Sequence, residues 1–183
     1  MDKDLIRISK FLSLVLRHQP QKIGLALDVN GWAQVDELLA QANRHGVALT
    51  PAVLEQVVRL NDKQRFAFSE DGVMIRASQG HSIDVDLGLE PVEPPAVLYH
   101  GTADRFIESI REKGLLAGRR DHVHLSANEA TAVKVGRRHG RPVVLRVQAA
   151  EMQAAGHLFY RSANGVWLVR HVPAGFLLFP ETI

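Results

Sequence analysis

The chain contains no cysteine, so disulfides, thiolate metal sites and a cysteine nucleophile are excluded. No apolar run approaches the ~20 residues that a membrane-spanning helix needs. The opening Met-Asp-Lys-Asp lacks the character of a signal peptide. The expectation is a protein without membrane association, working in the reducing cytoplasm. Neither common glycine-rich phosphate loop is there, and no nucleophile elbow. Overwhelming basicity is missing too: the net charge is +2 over 183 residues. Any phosphate recognition must therefore be local, built from a few placed cations rather than a broad field.

What is there divides in two. Residues 1–90 carry 10 Lys and Arg against 12 Asp and Glu, whereas residues 91–183 carry 12 against 8. Between the halves, DVDLGLEPVEPPA at 84–96 holds three prolines, four acids and no base. Such a stretch reads as a linker, and the boundaries expected are 1–85, a linker at 86–96, and 97–183. A chain of this length suits two small domains or one large one, and the expected state is a monomer.

In the first half, Leu5, Ile8, Leu12, Val15 and Leu16 recur at the spacing of an amphipathic helix, which Pro20 ends. Asn30-Gly31 marks a turn. Val35, Leu38, Leu39 and Ala42 form a second helical face ending near Gly46. Thr50 before Pro51 is an N-cap followed by a proline at the first helical position, so a third helix begins there. Alternation at Phe66 and Phe68, then Asp71-Gly72, then Val73 and Ile75 predicts a β-hairpin. Three helices and a hairpin are the outline of a winged helix, which serves nucleic-acid binding or protein contact. In the second half, VLYHG, HVHLS, PVVLRV, GVWLVRHVP and FLLF read as strands. DRFIESIREKG reads as a helix closed by Gly114, and NEATAVKVGRRHG as one capped by Gly140. Strands and helices mix without regular βαβ alternation, so the fold class expected is α+β.

The residues able to carry chemistry sit in short, unusual contexts. Arg17 and His18 end the first helix, where two cations complement the helix dipole or hold an anion. Lys63 and Arg65 precede the hairpin, and QGHS at 79–82 follows it with His81 and Ser82. YHGT at 99–102 joins a strand to a helix, and Arg119 and Arg120 lie before HVHLS at 122–126. His122 and His124 alternate on a strand and His100 could join them, but no second-shell carboxylate pattern supports zinc, and no metal is expected. Taken singly, each of these has a structural reading as good as a functional one.

Together, the blocks SKFLSLVLRH, NDKQRF, IRASQGHS, LYHGT, HVHLS and GVWL, in that order from Ser9 to Leu168, resemble the NAD-dependent RNA 2′-phosphotransferase family. The resemblance implies an N-terminal winged-helix RNA-binding lobe and a C-terminal NAD-binding lobe of ADP-ribosyltransferase type. It implies removal of an internal 2′-phosphate from RNA, as in tRNA splicing, with NAD as co-substrate. The RNA phosphate attacks the anomeric carbon of the nicotinamide ribose and nicotinamide leaves. The ribose 2″-hydroxyl then attacks phosphorus, releasing 2′-hydroxyl RNA and ADP-ribose 1″,2″-cyclic phosphate. The resemblance carries the catalytic set onto Arg17, His18, Arg65 and Arg120, with Arg120 chosen over Arg119 from its spacing to HVHLS. His100, Gly101, Thr102, His124 and Ser126 are implied to bind NAD, with Gly101 admitting the cofactor closely, and Lys63, His81 and Ser82 to line the RNA.

The residue types suit that chemistry. The nucleophile is the substrate's own phosphate, so no serine or cysteine is required. Arginine, permanently charged and able to bond two phosphate oxygens at once, suits aiming a dianion. Histidine suits phosphate binding or proton donation to the departing 2′-oxygen. GVWLVRH lacks the late glutamate common in protein-modifying relatives; such a carboxylate would repel a phosphate. Two alternatives stay open: an ADP-ribosyltransferase acting on terminal nucleic-acid phosphates, and a non-catalytic winged-helix binding module.

Overall fold

The structure, a computed structural model, describes residues 2–181. The chain divides into two compact units, one running to Gly88 and the other starting at Leu89. It is mixed α/β, with helices and several small antiparallel sheets. No helix among the described residues is long and apolar enough to cross a membrane.

The first unit opens with α1 (Lys3–Arg17). Its apolar stripe is buried: Leu12, Val15 and Leu16 are fully enclosed, with Leu5 and Ile8 nearly so. Pro20 starts a 3-10 turn, Pro20–Ile23, that Gly24 closes in the left-handed region at φ 64°. β1 (Ala33–Gln34) leads straight into α2 (Val35–Arg44). α3 (Pro51–Arg59) starts as the sequence predicts, its Thr50 Oγ1 accepting from the Val53 N–H at 3.2 Å. β2 (Phe66–Phe68) and β3 (Met74–Ala77) form the predicted hairpin.

Two details differ from the sequence reading. Val73 is in the turn and 53% exposed rather than on the strand's inner face. β1 pairs with β3, Ala33 opposite Ile75, so the hairpin is part of a three-stranded sheet ordered β1-β3-β2. A two-residue strand is too short for any alternation pattern to disclose. The helices and sheet enclose one apolar core that includes Leu12, Leu16, Leu38, Leu54 and Ile75.

The second unit contains β4 (Leu98–Ala103), α4 (Ile107–Lys113), β5 (Leu115–Leu116), β6 (Val123–Leu125) and α5 (Glu129–Gly136). β7 (Pro142–Val147), α6 (Ala149–Ala154), β8 (Tyr160–Arg161), β9 (Trp167–Val169), β10 (His171–Val172) and β11 (Leu177–Leu178) follow. β7 lies between β4 and β11, in register Gly101 to Val144 and Leu177 to Val147. β6, β9 and β8 make a second sheet, and β5 pairs with β10.

The predicted strand GVWLVRHVP is thus two short strands serving different sheets. Helix α5 ends at Gly136 rather than at the Gly140 cap read from sequence. The backbone continues in turns through 137–139 before Gly140 adopts φ 142°. α5 packs on β4 and β7, and Leu98, Leu145, Val147, Met152 and Phe159 are fully buried in this unit's core.

Candidate functional site

In the first unit, two of the cations named by the sequence end α1, and a third, Arg65, lines the same groove along that helix as His18. Arg17 is the helix's last residue and His18 its C-cap. The last carbonyls of a helix lack partners within it, and here the Ser82 N–H donates to the Arg17 carbonyl at 2.9 Å. The Ser82 hydroxyl shares a 2.8 Å hydrogen bond with His18 Nδ1. One residue, 64 positions along the chain, therefore fixes both the helix end and the orientation of the imidazole. Arg17 lies with its guanidinium carbon 6.0 Å from the centroid of the buried Phe66 ring.

Arg65 arrives from the loop before β2. Its Nη1 is 3.4 Å from Asn61 Oδ1, which also accepts the Lys63 N–H at 3.1 Å. Asn61 Nδ2 donates in turn to Ser9 Oγ on α1 at 3.1 Å. Asn61 and Ser9 are 3% and 4% exposed. A buried amide that uses both its ends is a rigid strut, since a lost partner leaves an unsatisfied polar atom. Between them, Gln64 takes a left-handed φ of 44°, which lets the loop double back with Asn61 as its centre. Ser9 and Asn61 open two of the blocks that carry the family resemblance, but a single Ser or Asn has no periodicity to announce this structural role.

His81 is placed inside the unit, 3% exposed, and not on a surface where RNA would touch it. Its pKa is lowered to about 4, chiefly by burial and then by the positive charges of Arg17, Arg76 and His18. Its buried Nε2 has no hydrogen-bond partner. Gly31 lies against that nitrogen and against Val85, so its lack of a side chain is what admits the ring. Burial and the neighbouring positive charges hold the His81 ring in its neutral form. Lys63 is exposed on its loop.

In the second unit the named residues cluster around β4 and β6. His100 Nδ1 donates to the His124 carbonyl at 3.1 Å, which leaves Nε2 of the neutral ring as an acceptor. Burial, and then the charge of His139, lowers the pKa of His100 and keeps it in that neutral form. Arg120 Nη1 donates to His124 Nδ1 at 3.1 Å, which sets the His124 tautomer with its proton on Nε2. Ser126 is tied to Tyr99 by two 2.8 Å backbone hydrogen bonds. Its hydroxyl donates to the Asn128 carbonyl and accepts from the Asn128 N–H. Asn128 then caps α5 through the Thr131 N–H.

Gly101 and Thr102 are both buried. A side chain on Gly101 would overlap the Ala132 carbonyl, and one on Gly136 would overlap that of Thr102. The glycine expected to admit a cofactor is therefore accounted for by close helix–strand packing. His122 stacks edge-on to Tyr160 at 5.6 Å. Among the described residues, no cluster of three or more His, Cys, Asp or Glu could hold a metal ion.

The family model described as "RNA 2'-phosphotransferase, Tpt1 / KptA family" matches residues 3–171. The chain is 56% identical over 181 residues to a probable RNA 2'-phosphotransferase of Acaryochloris marina, covering 99% of this chain and 100% of that one. It is 60% identical over 176 residues to one from Pseudomonas paraeruginosa, covering 96% and 97%. A third, from Hahella chejuensis, is 57% identical over 182 residues and covers 100% and 98%.

Proposed function

The chain belongs to the RNA 2′-phosphotransferase, Tpt1 / KptA family, and from that membership we propose that it removes an internal 2′-phosphate from RNA by transferring it to NAD. The products are 2′-hydroxyl RNA, nicotinamide and ADP-ribose 1″,2″-cyclic phosphate. The protein is a transferase. Residues 1–85 serve as a winged-helix RNA-binding lobe and residues 97–183 as an NAD-binding lobe of ADP-ribosyltransferase type. A chain without cysteine suits the cytoplasm, where the reaction is placed.

One observation carries the reading: His18 and Arg65 line one groove along α1, next to Arg17 at the helix end, with Ser82 and Asn61 fixing His18 and Arg65 in place. Held cations reorganise little when charge develops, which is what makes them effective on a phosphate. Arg17 and Arg65 bind the 2′-phosphate and strip its water. With His18 Nδ1 taken by Ser82, proton chemistry falls to Nε2, which donates to the RNA 2′-oxygen as it departs. Lys63, exposed beside Arg65, meets the RNA backbone.

For NAD, the donor set of the second unit fits ribose hydroxyls and pyrophosphate. The His100 Nε2 acceptor takes a hydroxyl proton, while His124 and Arg120 supply N–H donors. The contact between Arg120 and His124 is what supports Arg120 over Arg119 as the fourth cation. Ser126 acts through the turn at Asn128 that its hydroxyl holds, and Thr102 is buried on the strand that carries His100. When bound, NAD supplies an electrophilic anomeric carbon with a neutral leaving group, so the protein needs no acid for that departure.

The test is a short RNA with one internal 2′-phosphate, incubated with purified protein, with and without NAD, and no added metal. NAD-dependent loss of the phosphate, with ADP-ribose cyclic phosphate appearing, is the expected result. Turnover only on RNA or DNA ending in a phosphate would overturn the internal-phosphate assignment.

A further inference from the structure

Two of the candidate phosphate residues, His18 and Arg65, line a longer feature. A groove of about 440 Å³ runs along α1, lined by Ile6, Ser9, Lys10, Ser13, Leu14, His18 and Arg65. Its size falls in the range of about 300–1,000 Å³ usual for ligand sites. The α1 members recur three and four residues apart, so they form one stripe beside the buried face. None of the lining residues is acidic and three are basic. Ile6 is 40% exposed and Leu14 half-buried, so apolar surface stays open between the cations.

Resting on the activity proposed above, we infer that this groove is a subsite for the nucleotide flanking the phosphorylated one. Its base lies against Ile6 and Leu14, and its backbone phosphate meets Lys10. Single-stranded RNA is held by pairing positive charge along the backbone with apolar surface under the bases. Lys10 and His18 are eight residues apart, about 12 Å along a helix axis. That distance separates the reacting phosphate from a second cation without bringing both onto one group. Ile6 does nothing for the core, since the buried stripe passes through Leu5 and Ile8 instead. Ser9, at the groove's floor, is spent on Asn61, which leaves Ser13 as the floor hydroxyl able to meet a ribose.

The test compares a 2′-phosphorylated mononucleotide, which has no flanking nucleotide, with a hexamer that carries one internal 2′-phosphate, using wild type, Lys10→Gln, Ile6→Ser and Lys22→Gln. Lys22 lies outside the groove lining and removes the same charge. In wild type the hexamer should have the higher kcat/KM. Ile6→Ser and Lys10→Gln should each narrow that advantage by about tenfold, roughly one base or phosphate contact. Lys10→Gln should also lower the salt slope for the hexamer by about one. Equal losses on both substrates, no change on the hexamer, or an equal effect from Lys22→Gln would overturn the subsite. If wild type converts neither substrate, the proposed activity fails while the groove stays testable. Anisotropy of a labelled hexamer without 2′-phosphate should then still weaken in both groove variants, and an unchanged affinity would overturn the subsite too.

Discussion

The first unit holds its candidate residues through side chains, whereas the second holds them mainly through backbone. Asn61 joins Arg65 to Ser9, and Ser82 joins His18 to the end of α1. In the second unit, His100 is set by a carbonyl, Ser126 by a backbone bridge, and Gly101 by helix α5 lying directly on the strand. The difference follows from what each must do. In the proposed function the first unit grips a phosphate with long flexible cations, and such side chains need lateral struts to keep their aim. Residues on a strand inherit their aim from the sheet and need only the right tautomer.

The contrast can be broken most severely at Arg17. Arg17→Ala should lower kcat by about 10²–10³-fold with the thermal transition nearly unchanged, read by phosphate release and circular dichroism. A variant that unfolds would make Arg17 structural. Next comes Gly101→Ala, whose added carbon meets helix backbone that cannot step aside. It should cost about 3 kcal/mol of stability, measured by denaturant unfolding. The same change at Gly72, which has nothing within 4 Å but φ of 72°, should cost less, about 1 kcal/mol.

His81 provides a pH-dependent comparison. Its pKa near 4 in the folded chain, against 6.5 ordinarily, means that protonation favours the unfolded state. Its contribution is therefore full above about pH 6.5 and is lost as pH falls toward 4. The stability difference between wild type and His81→Gln should shift by up to about 3 kcal/mol over that window. A constant difference from pH 7 to 4 would mean that the ring is protonated in place. Asn61→Ala should cost about 2 kcal/mol from stranding Ser9 and the loop, less than Gly101→Ala and more than the change at Gly72. Its activity loss should be partly restored by Asn61→Gln only if the amide itself, rather than its exact reach, sets Arg65. Equal activity in Asn61→Ala and wild type would show that Arg65 needs no strut.

Family membership and the named cations were legible because they rest on contiguous blocks: VLRH, NDKQRF, YHGT and HVHLS. Helices were legible where local rules suffice. Thr50 and Pro51 start α3 where capping predicts, and the stripe from Leu5 to Leu16 is the buried face of α1. The failures have a common cause. β1, β5 and β8 span two residues each, so they exist only because a partner strand is beside them. Gly140 looked like a helix cap because a glycine after a periodic run usually is one, but α5 stops earlier, at Gly136 where it meets Thr102.

The sequence by itself determined which residues could form helices, that α1 stops before Pro20 and α3 starts after Thr50, and which side chains carry permanent charge. Those depend on spacing, caps and proline within a few positions. Tertiary structure alone decided that Ser82 orients His18 from 64 residues away, that Asn61 reaches Ser9 across 52, and that His81 is buried and neutral. A hydrogen bond or a desolvation cost depends on distances of a few ångströms, and those are set by the packed core rather than by neighbours along the chain.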